Sequence, residues 1–336
     1  MTVPGSNNLM RAMVLQGAGE KLQLEQRKIP QPKSYEVLVK VAACGVCRTD
    51  LHVQDNELPD ISYPVIPGHQ IVGDVVAAGT DSILQPGARV GIAWLAHTCG
   101  ECEYCQSASE NLCNNARFNG YQVDGGFADY LLADSRFCFV LAASLFAATT
   151  TPLLCAGLIG YRSLRMAGNA KNIGIYGFGS AAHIITQVAM HEKRKIYAFT
   201  RPGDEAAQKF ALRVGAIWAG DSNHPAPEKL DAALIFAPDG SLVPKALKDL
   251  KKGGVVVCGG IHMSNIPTFP YADLWEERQI RSVTNLTRKD GSEFMALACH
   301  TPIHPEITTY PLEAANTALD DLRNGAINGT AVLVMD

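Results

Sequence analysis

The sequence lacks any surplus of positive charge. Its 336 residues carry 29 Lys and Arg against 33 Asp and Glu, a formal net charge of −4. A chain built to grip nucleic acid or an anionic membrane carries a basic excess, so neither partner is expected. The only dense basic clusters, Lys193-Arg194-Lys195 and Lys251-Lys252, read as solvated edges. Charge of either sign is moderate. With 18% charged and 47% hydrophobic residues, the composition is that of a soluble globular enzyme and excludes intrinsic disorder. The opening MTVPGSNNLMRAMVLQGAG has no charged leader and no apolar core of signal-peptide length, so a cytoplasmic location is expected. An uninterrupted membrane span is missing too. Residues Phe137 to Tyr161 hold no charge, but Thr149-Thr150-Thr151-Pro152 breaks the run and Ala and Ser dilute it. A spanning helix would be more uniformly apolar. The stretch reads as a buried strand, a turn and the start of a buried helix. There are no internal repeats and no low-complexity segment.

The length suggests about two domains at ~150 residues each. The first third reads as β-rich, with strand-like runs at Val37–Val41, Gly73–Ala77 and Arg89–Ile92 punctuated by Gly, Pro and Asp, and no long helical period. After Pro152, short apolar runs alternate with helical stretches. Strand patterns at Asn172–Tyr176, Lys195–Phe199, Ala232–Phe236 and Gly254–Cys258 are separated by helical patterns at Ala181–Glu192 and near Ala206–Gly215 and Leu242–Leu250. Such alternation implies a parallel sheet with helices on both faces. The tail returns with a helix, Leu312–Asn324, stopped by Gly325, and a strand, Thr330–Val334. The expected division is 1–152 with 295–336, and 153–294, the tail folding back onto the first domain.

Ten cysteines are about twice an average share. Without an export signal, metal or catalytic roles outweigh disulfides. Cys99-x2-Cys102-x2-Cys105-x7-Cys113 is the strongest local signal. Close spacing turns several thiolates toward one point, and four sulfurs satisfy tetrahedral zinc completely, which makes the site structural. An iron–sulfur cluster is the rival, but ferredoxin runs continue with x3-C-P rather than x7-C-N. A nucleic-acid zinc ribbon is disfavoured because Glu101, Glu103 and Glu110 leave the lobe little positive charge.

Three further pieces stand in order: Cys44-Gly45-Val46-Cys47-Arg48-Thr49-Asp50-Leu51-His52, then Pro67-Gly68-His69-Gln70, then Leu154-Cys155-Ala156-Gly157. Together with the four-cysteine lobe, they make the chain resemble the zinc-dependent medium-chain alcohol dehydrogenases over essentially its whole length. It looks closest to the bacterial and yeast branch that prefers small primary alcohols, because Trp94-Leu95 precedes Cys99 at that branch's spacing.

The resemblance implies a catalytic zinc on Cys47, His69 and Cys155, and hence two zinc ions per chain. Two thiolates and a neutral imidazole cancel the ion's formal charge and leave one position open for water or substrate. An alcohol bound there loses its proton more readily, which prepares hydride expulsion. Thr49 and His52 match the family's proton relay, in which the proton passes through a cofactor ribose hydroxyl between them. A hydroxyl both donates and accepts, as the first station requires. Asp50 resembles the carboxylate that orients the zinc-binding imidazole. Arg48 resembles the residue that pairs with the cofactor pyrophosphate. Two departures stand out. Gln70 replaces the usual Glu after the ligand His, so no anionic group is supplied there. Ile159 replaces a frequent Thr four residues after the third ligand. With Trp94 and Thr49 at the substrate pocket, Leu58 in place of a bulky Trp implies room for substrates larger than ethanol. Cys44, Cys138, Cys258 and Cys299 read as buried, reduced cysteines.

Gly177-Phe178-Gly179-Ser180-Ala181-Ala182 follows a strand pattern and opens a helix, fitting G-x-G-x-x-G/A with Ala182 last. Its glycines permit a tight turn and close approach to a pyrophosphate at the helix N-terminus. About 20 residues on, where an NAD-type fold places an acidic residue, the strand ends Ala198-Phe199-Thr200-Arg201. Thr200 cannot repel a 2′-phosphate and Arg201 can pair with one, so NADP is expected to be accepted and preferred over NAD. Alternatively, Arg201 stacks on the adenine while Asp204 or Glu205 reaches the ribose and selects NAD.

The reading is thus an α/β protein with a GroES-like β domain holding both zincs and a Rossmann domain holding the nucleotide. Its expected activity is reversible oxidation of a primary or simple secondary alcohol, carried out in the cleft between the domains by a homodimer or homotetramer. An NADP-dependent reductase of bulkier aldehydes and a non-catalytic dinucleotide-binding protein are the alternatives.

Overall fold

Buried strands dominate both units of the computed structural model, whose described residues are 8–327 and 329–336. The N-terminal reading falls partly on residues 1–7, outside the described residues. The first unit comprises the chain up to Cys155, with Thr287–Cys299 and Pro305–Asp336; the second comprises Ala156–Leu286 and His300–His304.

In the first unit a seven-stranded sheet runs Ile307–Pro311, Thr330–Val334, Glu36–Val46, Gln70–Ala78, Arg89–Ile92, Cys138–Val140, and Tyr130–Asp134 pairs beside Glu36–Val46. Apolar side chains of Val39, Ile71, Val90, Phe127, Leu131 and Leu333 fill its core. Most pairings are antiparallel, whereas Ile307–Pro311 and Thr330–Val334 run parallel. A seven-residue helix, Arg48–Gln54, follows the longest strand directly. It interrupts a region whose sequence reads as β-rich, and its first turn is closed by the Asp50 carboxylate on the Cys47 N–H.

The second unit is a six-stranded parallel sheet in the order Trp218–Asp221, Lys195–Thr200, Asn172–Tyr176, Leu230–Ile235, Leu250–Cys258, Gln279–Ser282. Counted along the chain, that order is 3-2-1-4-5-6, the doubly wound Rossmann arrangement with its switch point beside Asn172–Tyr176. The strand Asn-Ile-Gly-Ile-Tyr is buried from Ile173 onward, as a central strand covered on both faces must be. Ile184, Ile185, Val188 and Ala189 bury one face of the helix Ser180–His191. The helix Glu205–Val214 is capped by Asp204 and ends at Gly215 in the left-handed region, φ 119°.

The boundaries differ from the sequence reading at three places, one of them His300–His304, which groups with the second unit rather than with the returning tail. Thr287–Cys299 groups with the first unit, so the return begins before residue 295. It contains the helix Arg288–Ala298, which the strand–helix alternation did not reveal. Its anchors are physical: the Glu110 carboxylate accepts from the Arg288 N–H at 2.9 Å and from its guanidinium at 3.2 Å, and a Cβ on Gly291 would stand 2.1 Å from Phe139 Cζ. The first division falls after Cys155, because the turn Thr151–Leu154 is buried and Leu154 packs over Gly91. The uncharged stretch Phe137–Tyr161 holds the strand Cys138–Val140, a short helix Ala147–Thr150, that turn, and the start of the helix Ala156–Met166. No helix among the described residues is long and apolar enough to cross a membrane. In the tail, a 3-10 turn at Leu312–Ala314 precedes the helix Ala315–Arg323.

Candidate metal centres and dinucleotide site

Cys47 ends the strand Glu36–Val46 and starts the helix Arg48–Gln54, while His69 precedes the strand Gln70–Ala78, the antiparallel neighbour. Gly68 lets the chain turn there, with φ 98° and a site where a Cβ would lie 2.4 Å from Phe127 and 2.8 Å from Cys44 Sγ. Cys155 follows the buried turn Thr151–Leu154. The three side chains converge: Cys47 Sγ is 3.3 Å from His69 Nε2 and 3.9 Å from Cys155 Sγ.

Behind His69 stands Asp50, with a side chain only 1% exposed. Its Oδ2 accepts from the Cys47 N–H at 2.8 Å, and its Oδ1 accepts from the Gly68 N–H at 3.2 Å and lies 3.3 Å from His69 Nδ1. A carboxylate anion only accepts, so Asp50 holds the Nδ1 proton; the raised imidazole also carries a proton on Nε2 toward the Cys47 sulfur, and a bound cation would take that proton's place on the Nε2 lone pair. The hydrogen bond from Cys155, joined by His69, holds the Cys47 thiol well below its ordinary range despite burial. The same contact, with burial, pushes Cys155 well above it. Burial lowers His69, but Cys47 and Asp50 outweigh it and raise the imidazole to about 10. Two sulfurs and an imidazole nitrogen crowded in a buried site form a donor set that suits one cation.

The lobe is a second such set. Cys99 and Cys113 sulfurs are 3.5 Å apart, Cys102 and Cys105 3.5 Å, Cys99 and Cys105 3.9 Å. An ion with bonds of about 2.3 Å to sulfur has tetrahedral S···S edges of about 3.8 Å. The spacing therefore fits four thiolates on one ion, whereas an iron–sulfur cluster spreads its thiolates over several metal atoms. Backbone N–H groups of Glu101 and Cys102 bring Cys99 down to about 6. Cys102 rises to about 11, because desolvation and its sulfur neighbours overcome the Cys105 N–H.

Around the first set, the Thr49 side chain stands close enough to the Cys47 sulfur to help lower its thiol. His52 lies one turn further on, and positions three apart share a helical face. Arg48 is exposed in the first turn. Trp94 has its ring centroid 6.2 Å from that of His69 and stacks on Phe118 at 4.4 Å, with Tyr121 beyond. Sequence reasoning missed Phe118 and Tyr121, although their aromatic character beside the lobe was the available signal. Leu58 is half-buried against the same core. Gln70 is fully buried over Gly45, where a Cβ would meet its Cδ at 2.9 Å, and neither amide atom has a hydrogen-bond partner.

In the second unit, Gly177 leaves the strand Asn172–Tyr176 with φ 89°, and a Cβ there would stand 2.8 Å from the Ala237 N. Gly179 caps the helix Ser180–His191, and a Cβ on it would meet nothing within 4 Å, leaving a backbone cradle open. Ala182 is fully buried against the sheet. These are the three separate tasks the fingerprint sets: turn, ligand approach, close packing. Ile159 sits half-buried on the helix Ala156–Met166.

At the end of the strand Lys195–Thr200, the Thr200 hydroxyl accepts from Gln208 at 3.2 Å. The Asp204 carboxylate is taken up in capping, accepting from the Ala207 N–H at 2.9 Å, and Glu205 pairs with Lys209. Arg201 is exposed, and no ion pair to it is found among the described residues. One carboxylate was missed: Asp221, opposite Thr200 in the parallel register, accepts from Gln208 at 2.8 Å and from the Gly203 N–H at 3.1 Å.

Comparison with known proteins gives the following. The alcohol dehydrogenase GroES-like domain family matches residues 33–143. Over 319 residues the chain is 45% identical to a protein of Mycobacterium tuberculosis named "Probable alcohol dehydrogenase AdhA", covering 92% of this chain and 91% of that one. An alcohol dehydrogenase of Moraxella sp. is 33% identical over 336 residues, 96% of this chain and 99% of the relative. Among solved structures, acetophenone reductase from Geotrichum candidum in complex with NAD matches with a TM-score of 0.84 at 26% identity over 98% of each chain.

Proposed function

The chain belongs to the zinc-type medium-chain alcohol dehydrogenase family, and from that footing we propose that it interconverts primary or simple secondary alcohols and their carbonyl compounds, using zinc and NADP(H) or NAD(H). The observation that carries this reading is the convergence of Cys47, His69 and Cys155, with Asp50 fixing the imidazole from behind and Thr49 beside the Cys47 sulfur.

Cys47, His69 and Cys155 would hold the catalytic ion, and Cys99, Cys102, Cys105 and Cys113 a second, structural one. Zinc, when bound at the first set, supplies Lewis acidity that eases loss of a hydroxyl proton and polarises a carbonyl. The dinucleotide supplies the hydride acceptor. The chain's own residues do the rest. Thr49 Oγ1 takes the substrate proton as it gives up its own, and His52 carries that proton toward water. Arg48, Gly177 and Gly179 are assigned to the cofactor's pyrophosphate, with Ala182 packing the helix close to the sheet behind them, and Thr200 and Arg201 to its adenosine end. The exposed Arg201 guanidinium, without an ion pair among the described residues, supports acceptance of a 2′-phosphate, and the Asp204 carboxylate has one oxygen engaged in capping. Leu58 and Trp94 would border the substrate, and Leu58 leaves room beyond ethanol.

Free thiols as metal ligands suit a reducing cytoplasm. A homo-oligomer is supported by the edge strand Gln279–Ser282, all four residues of which are exposed, next to exposed Tyr271 and Trp275.

A panel of alcohols and aldehydes assayed with both NAD(H) and NADP(H) tests the reading. Turnover of small alcohols supports it, and absence of turnover by zinc-replete protein with every pair refutes it in favour of a non-catalytic dinucleotide-binding protein. Reduction of bulky aldehydes with NADPH is the second reading, favoured by Leu58 and by the free Arg201. Within the panel it is recognised by a specificity constant that rises with aldehyde size.

A further inference from the structure

The helix Arg48–Gln54 ends in a way that returns a carboxylate to its own last turn. Asn56 adopts the left-handed conformation, φ 57°, so the chain doubles back. The Asp55 N–H then reaches the Leu51 carbonyl at 2.8 Å and the Glu57 N–H reaches the His52 carbonyl at 2.9 Å. Glu57 is thereby bonded by its backbone to the residue it faces, and its Oε2 lies 2.5 Å from His52 Nδ1. The reversal is held from several sides. Tyr63 Oη donates toward the Val53 carbonyl and Asn56 Oδ1, each at 3.3 Å. Gln54 donates to the Glu20 carbonyl at 2.9 Å. Arg323 grips Asp55 at 2.6 and 2.8 Å, while the Glu57 carboxylate stands against His52. The His52 side chain is 22% exposed and that of Glu57 57%, which puts the pair at the solvent end of the helix face that begins with Thr49.

We propose that Glu57 is a positioning residue for the proton relay: it holds His52 as the Nδ1–H tautomer and leaves Nε2 bare to receive the outgoing proton. The inference rests on the Thr49–His52 relay proposed above. A carboxylate anion accepts and cannot donate, so a hydrogen bond to Glu57 places the single proton of neutral imidazole on Nδ1. A proton arriving at Nε2 gives an imidazolium whose charge Glu57 balances. Release from Nε2 to water restores the starting tautomer, with Nδ1–H never leaving the carboxylate. The O–H bond of the donor hydroxyl breaks as Nε2–H forms, Nε2–H breaks as a new O–H bond forms on water, and one proton enters and leaves per alcohol oxidised. A histidine free to turn would present Nε2–H part of the time and block the exit.

Glu57→Gln in the zinc-loaded enzyme tests this. The substituted side chain is largely exposed, so the fold is kept. With 15N-labelled histidine, and His52 assigned by its loss in His52→Gln, the unaltered protein should show His52 as the Nδ1–H tautomer and Glu57→Gln a mixture. Alcohol oxidation should fall about five- to tenfold in kcat with KM unchanged, below the usual range for removal of an acid–base group because water can substitute at the last station. Added bulky buffer base at constant pH and ionic strength should restore the rate. An Nε2–H tautomer in the unaltered protein, an unchanged rate in Glu57→Gln, or a loss that buffer does not rescue would overturn the role of Glu57. The relay itself is read separately, by Thr49→Val. If that variant keeps near-normal turnover, the relay reading falls. If it is inactive while Glu57→Gln is normal, only Glu57 is wrong.

Discussion

Asp50→Asn removes one charge and one acceptor from a site where three N–H groups converge on two oxygens. Oδ2 serves the Cys47 N–H at 2.8 Å, while Oδ1 serves the Gly68 N–H at 3.2 Å and faces His69 Nδ1 at 3.3 Å. Asparagine accepts on one side only. If its oxygen keeps the Cys47 N–H, its NH2 points at a backbone N–H and at Nδ1–H. The imidazole then relieves the clash by moving its proton to Nε2, the atom 3.3 Å from Cys47 Sγ. That tautomer cannot ligate through Nε2. With the Asp50 side chain only 1% exposed, water cannot repair the loss. Hydrogen bonds to charged groups contribute about 1.5–3 kcal/mol, and loss of a carboxylate behind a ligand histidine costs about 10- to 100-fold in metal affinity or activity. Zinc retention at the Cys47 set should weaken by roughly that factor, with kcat/KM falling in parallel, while the four-cysteine lobe keeps its ion. Chelator competition, read as zinc released per chain, together with steady-state kinetics measures both. Zinc release and kcat/KM within about twofold of the unaltered protein would show that Asp50 does not set the imidazole.

Other predictions follow from the same structure. Cys102→Ser breaks the lobe, and should lower the melting temperature by about 5 °C or more and promote aggregation, read by thermal scanning and light scattering; an unchanged melting temperature would deny the lobe a structural role. Arg201→Ala should raise KM for NADP(H) about tenfold or more, the scale of a lost charge-assisted pair, and leave NAD(H) nearly unaffected; equal weakening of both cofactors would mean that Arg201 stacks on the adenine. Asp231 gives a pH-dependent case. Burial pushes its carboxyl up, but the N–H groups of Asn172 and Lys171 and the Lys251 ammonium outweigh burial and hold it below its ordinary value. Its stabilising effect is therefore complete above the unfolded value of about 3.9 and is lost as pH falls through the lower folded value. Asp231→Asn should cost about 1 kcal/mol at neutral pH, and the gap to the unaltered protein should close in acid; a gap independent of pH would contradict this.

The two candidate metal-binding clusters are legible because cysteine and histidine at fixed short spacings carry their geometry with them: Cys99, Cys102, Cys105 and Cys113 come together as the spacing predicts. Gly177 and Gly179 are legible for the same reason, since a tight turn between strand and helix demands them. What escapes is whatever depends on a distant neighbour. The helix Arg48–Gln54 is under two turns and has no apolar period to announce it. The helix Arg288–Ala298 belongs to the first unit only because buried Glu110 receives Arg288 and Phe139 lies over Gly291, contacts between residues far apart in the chain. Read as lobe acidity, Glu110 is a buried pairing partner. Asp204 reads from sequence as a ribose ligand, and its hydrogen bond to the Ala207 N–H adds a capping duty that the sequence reading did not include. Asp221 becomes visible only when the parallel register sets it opposite Thr200. The Glu57–His52 pair needs a left-handed residue at Asn56, which no local pattern dictates.

The central claim is that Cys47, His69 and Cys155 hold the zinc on which alcohol oxidation depends, apart from the zinc of the lobe. Metal content and turnover of a small primary alcohol, measured on the same samples of unaltered protein and Cys47→Ser, test it most directly. The account predicts about two zinc ions per chain and turnover in the unaltered protein, and in Cys47→Ser a folded chain that keeps about one zinc and loses nearly all turnover. Iron in place of zinc, full activity with about one zinc per chain, or near-normal turnover in Cys47→Ser would contradict it.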